Sequence, residues 1–228
     1  MARLVDLLTM ATTTPSAPTT AAKDNALPRS CGPISLVAAL RRFGIEQSVD
    51  AIWPAVTRKD PFGTRAARSY LLAALARTCQ LDAAVLQCQP ERAWQAIRTC
   101  HDADITVVLN HRAYRAPDEG HFTLLAAIDD ATITVDDPFL GKNKQIDRQR
   151  FLKLWQPNRE TAGHVLIAID NPTTGQAEEA SEDTTTCPRC AAPITLAPNR
   201  LFEPTEWNPN GLWQRFFCLG CDASFSPR

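Results

Sequence analysis

Residues 24–44 read DNALPRSCGPISLVAALRRFG, and the way this stretch folds decides how the rest of the chain is read. Gly32 and Pro33 directly follow Cys31. Proline suits the first helical turn, where its missing N–H costs nothing. Beyond it Ile34, Val37 and Ala38, then Leu36, Leu40 and Phe43, recur at three- and four-residue steps until Gly44. That is the pattern of an amphipathic helix with a glycine stop. Cys31 therefore stands at a helix start, where unpaired amides and the helix dipole both favour a negative charge. A thiol so placed is a candidate nucleophile. The plainer alternative is a small buried residue opening a core helix, and the remainder of the chain has to choose.

The chain has 228 residues, of which 44% are hydrophobic and 21% charged. That length suits one ordinary domain plus a small unit. A formal net charge of −1 offers no electrostatic footprint for nucleic acid or a membrane surface. No run approaches the ~20 apolar residues of a membrane span. The opening MARLVDLLTM is interrupted by Asp6 and followed by a Thr/Pro/Ala-rich segment, so no signal peptide is expected. The eight cysteines fall into two CxxC pairs, Cys187/Cys190 and Cys218/Cys221, and four scattered residues. A secreted disulfide scaffold is normally small and cysteine-dense throughout, so the expected setting is a reducing cytoplasm.

In order, residues 1–22 form a low-complexity N-terminal segment expected to be mobile. The main domain spans 23–170. After the Cys31 helix come short polar pieces over 45–64, with a turn signal at Asp60, Pro61, Phe62 and Gly63. A second helix is expected over 65–78, rich in strong helix formers. A strand follows over 81–86, and then a helix opened by Pro90. A β-branched strand occupies 105–109, and a polar loop covers 110–120. The strand beginning at His121 turns at Asp129 and Asp130 and returns to Asp136, Asp137 and Pro138. A short helix over 147–155 and a strand over 164–169 complete the domain. Helices first and an antiparallel sheet after is the α+β class. Residues 171–186, with four acids and no base, read as an acidic linker, and 187–228 as a separate small unit.

A cysteine nucleophile needs a base, and the base needs an orienting partner. A hairpin reversing at Asp129 and Asp130 sets His121 opposite Pro138, within one step of Asp137. Strand alternation puts Asp137 on one face with Ile133 and Val135, and Asp136 on the other. Asp137 is the preferred partner and Asp136 the alternative. His164 opens a strand that no returning strand follows, and His101 and His111 fall at a helix end and in a loop. All three are expected to be ordinary residues.

Four motifs in order, CGPISLVAALRRFG, GHFTLLAAID, ITVDDPFLG and RQRFLKLW, span about Asn25 to Ile169. Together they resemble the papain-like bacteriocin-processing cysteine peptidases, family thirty-nine, which cut after double-glycine leaders. The resemblance implies a papain-like peptidase fold with Cys31 as nucleophile, His121 as base and Asp137 as orienting residue. Trp155 matches an aromatic that closes the family's last helix. Papain-like enzymes place a glutamine six residues before the nucleophile to help form the oxyanion hole. Asn25 stands there in this chain. The family's best-known members are fused to membrane-spanning transporters, so a free-standing version is expected, acting on a peptide or protein substrate. Acyl transfer, deamidation or a catalytically weak binding module are the rival readings.

The tail carries CPRC, 27 intervening residues and CLGC. Paired thiolates on two knuckles suit tetrahedral zinc, which makes Cys187, Cys190, Cys218 and Cys221 candidate ligands of a structural site and the tail a zinc ribbon. With four arginines, three acids and no lysine, the tail lacks a nucleic-acid footprint. Its Trp207, Trp213, Phe216 and Phe217 suit contact with protein, either the main domain or a partner.

Overall fold

The computed structural model describes residues 29–59, 63–172, 186–194, 198, 201–202, 208 and 210–226. The expected mobile segment 1–22, Asn25, Trp207 and most of the acidic linker, 173–185, lie outside the described residues.

Helix α1, Cys31–Arg41, begins at the cysteine. Its apolar stripe is fully sheltered, with Leu36, Ala39 and Leu40 at 0% exposure, and burial of each such leucine contributes roughly 1.5–3 kcal/mol. The chain leaves the helix through Gly44 at φ +74°. The Ile45 N–H returns to the Leu40 carbonyl at 3.1 Å, a turn that glycine accommodates without steric cost.

The 45–64 stretch holds more structure than short polar pieces. Helix α2, Val49–Val56, is capped by the Ser48 hydroxyl, which accepts from the Ala51 N–H at 3.2 Å, and it buries Ile52 and Val56. It is short and contains Pro54, which hides its periodicity. Strands β1, Thr57–Lys59, and β2, Arg65–Ala67, then form a hairpin. Its turn contains Gly63, as expected; Asp60, Pro61 and Phe62 lie outside the described residues. The helix expected over 65–78 loses its first turn to β2, so α3 runs Ser69–Thr78. Pairing with β1 overrides the helix-forming composition of those residues.

Strand β3, Asp82–Cys88, precedes a 3₁₀ turn at Pro90–Arg92 and helix α4, Ala93–Asp102. Strands β4, Thr106–Arg112, β5, Gly120–Ile128, and β6, Thr132–Asp137, follow. Strand β7, Gly141–Asp147, was not expected. Its lysine-bearing residues are almost all exposed, which suits a sheet edge and hides a buried alternation. Helix α5, Arg148–Leu154, is capped by Asp147, and β8, Val165–Asp170, is buried along its whole length. In the tail lie β9, Trp213–Phe217, and β10, Ser224–Phe225.

Eight strands form one antiparallel sheet in the order β10-β9-β3-β8-β4-β5-β6-β7. One core joins α1, α2 and α3 to Val85, Val108, Leu124 and Ile167. A second joins α4 and Phe151 of α5 to Leu86, Leu109, Leu125 and Leu166. With both faces covered, the central strands read as unbroken apolar runs rather than alternating ones. The architecture is α+β, helices packed on a large antiparallel sheet.

The tail is not a unit apart. Strand β9 pairs with β3, facing Phe217 to Val85 and Phe216 to Leu86, and Leu212, Trp213 and Phe216 enter the same core as Trp94. Of the two contacts its aromatics suited, the main domain and a partner, Trp213 and Phe216 take the first. Among the described residues no helix is long and apolar enough to cross a membrane.

Candidate active site

Two elements far apart in sequence meet at Cys31. The Ser35 hydroxyl, one turn along α1, donates to the Phe122 carbonyl of β5 at 3.1 Å. Glu160 makes a second tie, accepting from the Gly120 N–H at 2.8 Å and pairing with Arg29. The residues flanking Cys31 and His121 are thus fastened to each other from two sides. Gly32 lets β2 come close, since a Cβ there would lie 2.5 Å from the Cβ of Ala67.

His121 is buried near the start of β5. Its Nε2 lies 2.8 Å from Oδ2 of Asp137, and because a carboxylate only accepts, this nitrogen carries the proton. The other carboxylate oxygen of Asp137 accepts from the Phe139 and Leu140 N–H groups, each at 2.8 Å, which locks its orientation. Cys31 is the other group that acts on this imidazole, raising its pKa together with Asp137, and with Nε2 engaged by Asp137 the nitrogen left for the sulfur is Nδ1. Cys31 is 6% exposed, yet it lines a cavity of about 410 Å³ that Ala66, Ala67, Asn110, Phe122 and Val165 also border. Cys31 is therefore buried but borders an opening.

Electrostatics follow the geometry. Burial works against a charged imidazole, but the hydrogen bonds and charges of Asp137 and Cys31 outweigh it and raise His121 to about 9. Against the burial that would raise it, the hydrogen bond from His121 and the two amides holds Asp137 below the usual carboxylate range. An imidazole that stays protonated through neutral pH beside a sulfur is suited to stabilise a thiolate and to give a proton to a leaving group.

Strand alternation placed Asp137 correctly, since it is buried with Ile133 and Val135. Asp136 points away and accepts from the Asn143 N–H at 2.9 Å. The hairpin register differs slightly from a uniform ladder. Leu124 faces Asp136, and an irregularity between Leu125 and Ala127 shifts the pairing toward the turn. The displacement leaves His121 within reach of Asp137.

His111 lies in β4, not in a loop, and pairs directly with His121 across the ladder. It has 0% exposure. Its Nδ1 donates to the Arg112 carbonyl at 2.7 Å and its Nε2 lies 3.2 Å from the Thr123 hydroxyl. Burial first, then the neighbouring charge of His121, lowers it to about 4, so it stays neutral. Its ring meets that of His121 edge-on at 5.3 Å, and Phe139 stacks on His121 at 5.7 Å. Tyr114 completes the surround. Continuing the alternation of Val107 and Leu109 past Asn110 was the signal that could have placed His111 on the strand. Trp155 is fully buried and donates to the Val165 carbonyl at 3.1 Å, a packing position. His164 and His101 contact neither Cys31 nor His121 in any hydrogen bond found among the described residues.

The four tail cysteines converge. Their sulfurs all lie within 4.8 Å of one another, with Cys187 3.6 Å from Cys221 and Cys190 3.6 Å from Cys218. A tetrahedron of roughly 2.3 Å metal–sulfur bonds has edges of roughly 3.8 Å, so the set fits one ion. The two knuckles share one local fold. Cys187 N–H reaches the Ala192 carbonyl and Ala191 N–H the Cys187 carbonyl; Cys218 N–H reaches Ala223 and Asp222 N–H reaches Cys218. Ala191 and Asp222, at matching positions, both take positive φ, +57° and +63°. The Gly220 N–H points at the Cys218 sulfur at 3.3 Å. This cluster could hold a metal ion.

No protein-family profile matches the chain, and no curated protein is similar to it. Among solved structures, the peptidase domain of Streptococcus ComA, a bi-functional ABC transporter involved in a quorum-sensing pathway, superposes with a TM-score of 0.48 at 12% identity. That match covers 64% of this chain and 95% of the other. A double-glycine motif protease from an AMS/PCAT transporter, solved with its leader peptide, gives a TM-score of 0.43 at 15% identity over 62% of this chain and 84% of that one.

Proposed function

We propose that this chain is a cysteine peptidase of papain-like type, with Cys31 as nucleophile, His121 as base and acid, and Asp137 as the residue that orients the imidazole. One observation carries the reading: a single buried imidazole is hydrogen-bonded to a locked carboxylate and stands close enough to a thiol bordering a cavity for both to raise its pKa.

In the proposed reaction the Cys31 sulfur, with its proton on His121, attacks a peptide carbonyl carbon and forms a C–S bond. As the tetrahedral intermediate collapses the C–N bond breaks, and His121 gives its Nδ1 proton to the departing amine. Water, deprotonated by the same nitrogen, then splits the thioester and regenerates the sulfur. Asp137 keeps the ring turned toward Cys31 and balances the imidazolium. Proton transfer by a positioned base of this kind typically contributes 10²–10⁴-fold. The proposed oxyanion donors are the first-turn amide at Cys31 and the carboxamide of Asn25.

The proposed occupant of the tail cluster is zinc. A Cys₄ set offers it a closed site with no open coordination position, so the ion would stabilise the fold without entering the chemistry. The proposed setting is the cytoplasm, where thiol ligands stay reduced.

Alkylation tests the reading. Iodoacetamide and E-64 should modify Cys31 rapidly near neutral pH, and His121→Ala should slow both. Equal rates in the two proteins would remove the case for a paired thiol.

A further inference from the structure

The cavity at Cys31 has a wall that the expected catalytic body does not supply. Besides Ala66 and Ala67 of β2 and Val85 and Val165 of the central strands, it is bordered by Phe217 and Asp222 of the tail. Phe217 faces Val85 across the β3–β9 ladder, so the two side chains share a face of the sheet. Gln87, two residues on from Val85, faces Val165, which places Val165 on that face as well. Phe217 and Leu219 pack against the same core that includes Cys31.

These tail residues are chain neighbours of the sulfur ligands, since Phe217 precedes Cys218 and Asp222 follows Cys221. The two knuckles touch closely: a Cβ at Gly220 would lie 3.3 Å from the Cβ of Ala192 and 3.4 Å from the Cys190 sulfur. An ion holding all four sulfurs would tie the Cys218–Cys221 knuckle to its partner and so steady Asp222 and the end of β9, where Phe217 is also held by its pairing with Val85.

We infer that the metal-binding tail is a structural wall of the substrate cleft, and that Phe217 selects an apolar side chain of the peptide lying against it. The apolar part of the cavity is where Val85, Val165 and Phe217 border it, while Arg29, Arg68, Arg159, Glu160 and Asp222 line the remainder. The inference rests on the peptidase reading. It makes the ion a determinant of substrate binding without any role in bond breaking.

The test compares two reagents on the full chain, with modification of Cys31 followed by mass spectrometry. E-64 must lay its leucyl arm in the cleft, whereas iodoacetamide needs only the sulfur. Stripping zinc with a chelator, or Phe217→Ala, is expected to slow E-64 roughly tenfold, the size of effect that a lost apolar contact has in a selective pocket. Iodoacetamide should keep its rate in both cases, and Phe217→Leu should retain most of the E-64 rate. Unchanged E-64 rates overturn the inference and leave the peptidase reading standing. Parallel loss with both reagents also overturns it, because the tail would then support the thiol pair and not the cleft. Failure of either reagent to modify Cys31 in the zinc-loaded protein removes the peptidase reading and the inference together.

Discussion

The Ser35 hydroxyl donates to the carbonyl of Phe122 at 3.1 Å, both residues being buried. Ser35 lies one helical turn beyond Cys31, and Phe122 is the residue after His121. A single hydrogen bond therefore couples the helix that carries the sulfur to the strand that carries the imidazole. Removing it with Ser35→Ala leaves a buried acceptor short of a donor, which costs about 1–3 kcal/mol. Urea denaturation should register that loss, and alkylation of Cys31 should slow without being abolished.

Stability should peak near the unperturbed histidine pKa, because the two paired histidines are shifted in opposite directions. His111, lowered to about 4, is neutral in the folded protein while the unfolded chain takes up a proton at about 6.5. Its contribution is present above about 6.5 and lost as pH falls toward about 4. His121, raised to about 9, contributes fully below about 6.5, and that contribution is lost as pH rises through about 9. Urea unfolding measured from pH 4 to 10 should give a dome. His111→Gln should flatten its acid side, and His121→Gln its alkaline side.

The same raised value should set the alkaline limb of peptide hydrolysis near pH 9, where the imidazolium loses its proton. Asp137→Asn keeps an oxygen to accept from the Phe139 and Leu140 amides but removes the charge that supports protonation. The limb should then move to lower pH, and kcat should fall by about 10²-fold or more, within the range expected when a positioned base loses its orientation. A profile superimposable on that of the parent protein would exclude Asp137 from the proposed role.

Gly32→Ala should distort the cleft. The added carbon would lie 2.5 Å from the Cβ of Ala67 and 3.2 Å from the Phe122 ring, so the β1–β2 hairpin must retreat from the helix start. Overpacking of this kind costs typically 1–3 kcal/mol. A lowered melting temperature, with E-64 labelling slowed more than iodoacetamide labelling, is the expected pair of results.

Cys218→Ser should abolish binding of one zinc per chain, read by native mass spectrometry and by metal released to a colorimetric chelator. Because Trp213 is 1% exposed in the strand that leads to Cys218, loss of the ion should also shift tryptophan fluorescence to the red. Zinc binding equal to that of the parent chain would exclude the four-sulfur site.

The features read correctly from the chain are those governed by neighbours in sequence. The spacing of Leu36, Val37 and Leu40 is enough for a helix starting at Cys31. One tight turn at Asp129 and Asp130 brings His121 to Asp137 with only a small shift in register. Two CxxC pairs announce a sulfur cluster. Helix α2, strand β7 and the buried place of His111 escaped because each shows a short or broken period along the chain.

Local pattern alone thus determined the helix start with its thiol, the histidine–carboxylate hairpin and the cysteine knuckles, since turns, caps and periodicity act over a few residues. Only the tertiary structure decided that β2 leans on Gly32, that β9 joins the sheet beside β3, and that Phe217 borders the cavity at Cys31. Those contacts join segments from different parts of the chain, and strand edges carry the same backbone donors and acceptors whichever partner they meet. Which edges pair is settled by the burial of whole faces, a property of the assembled sheet and not of any one stretch.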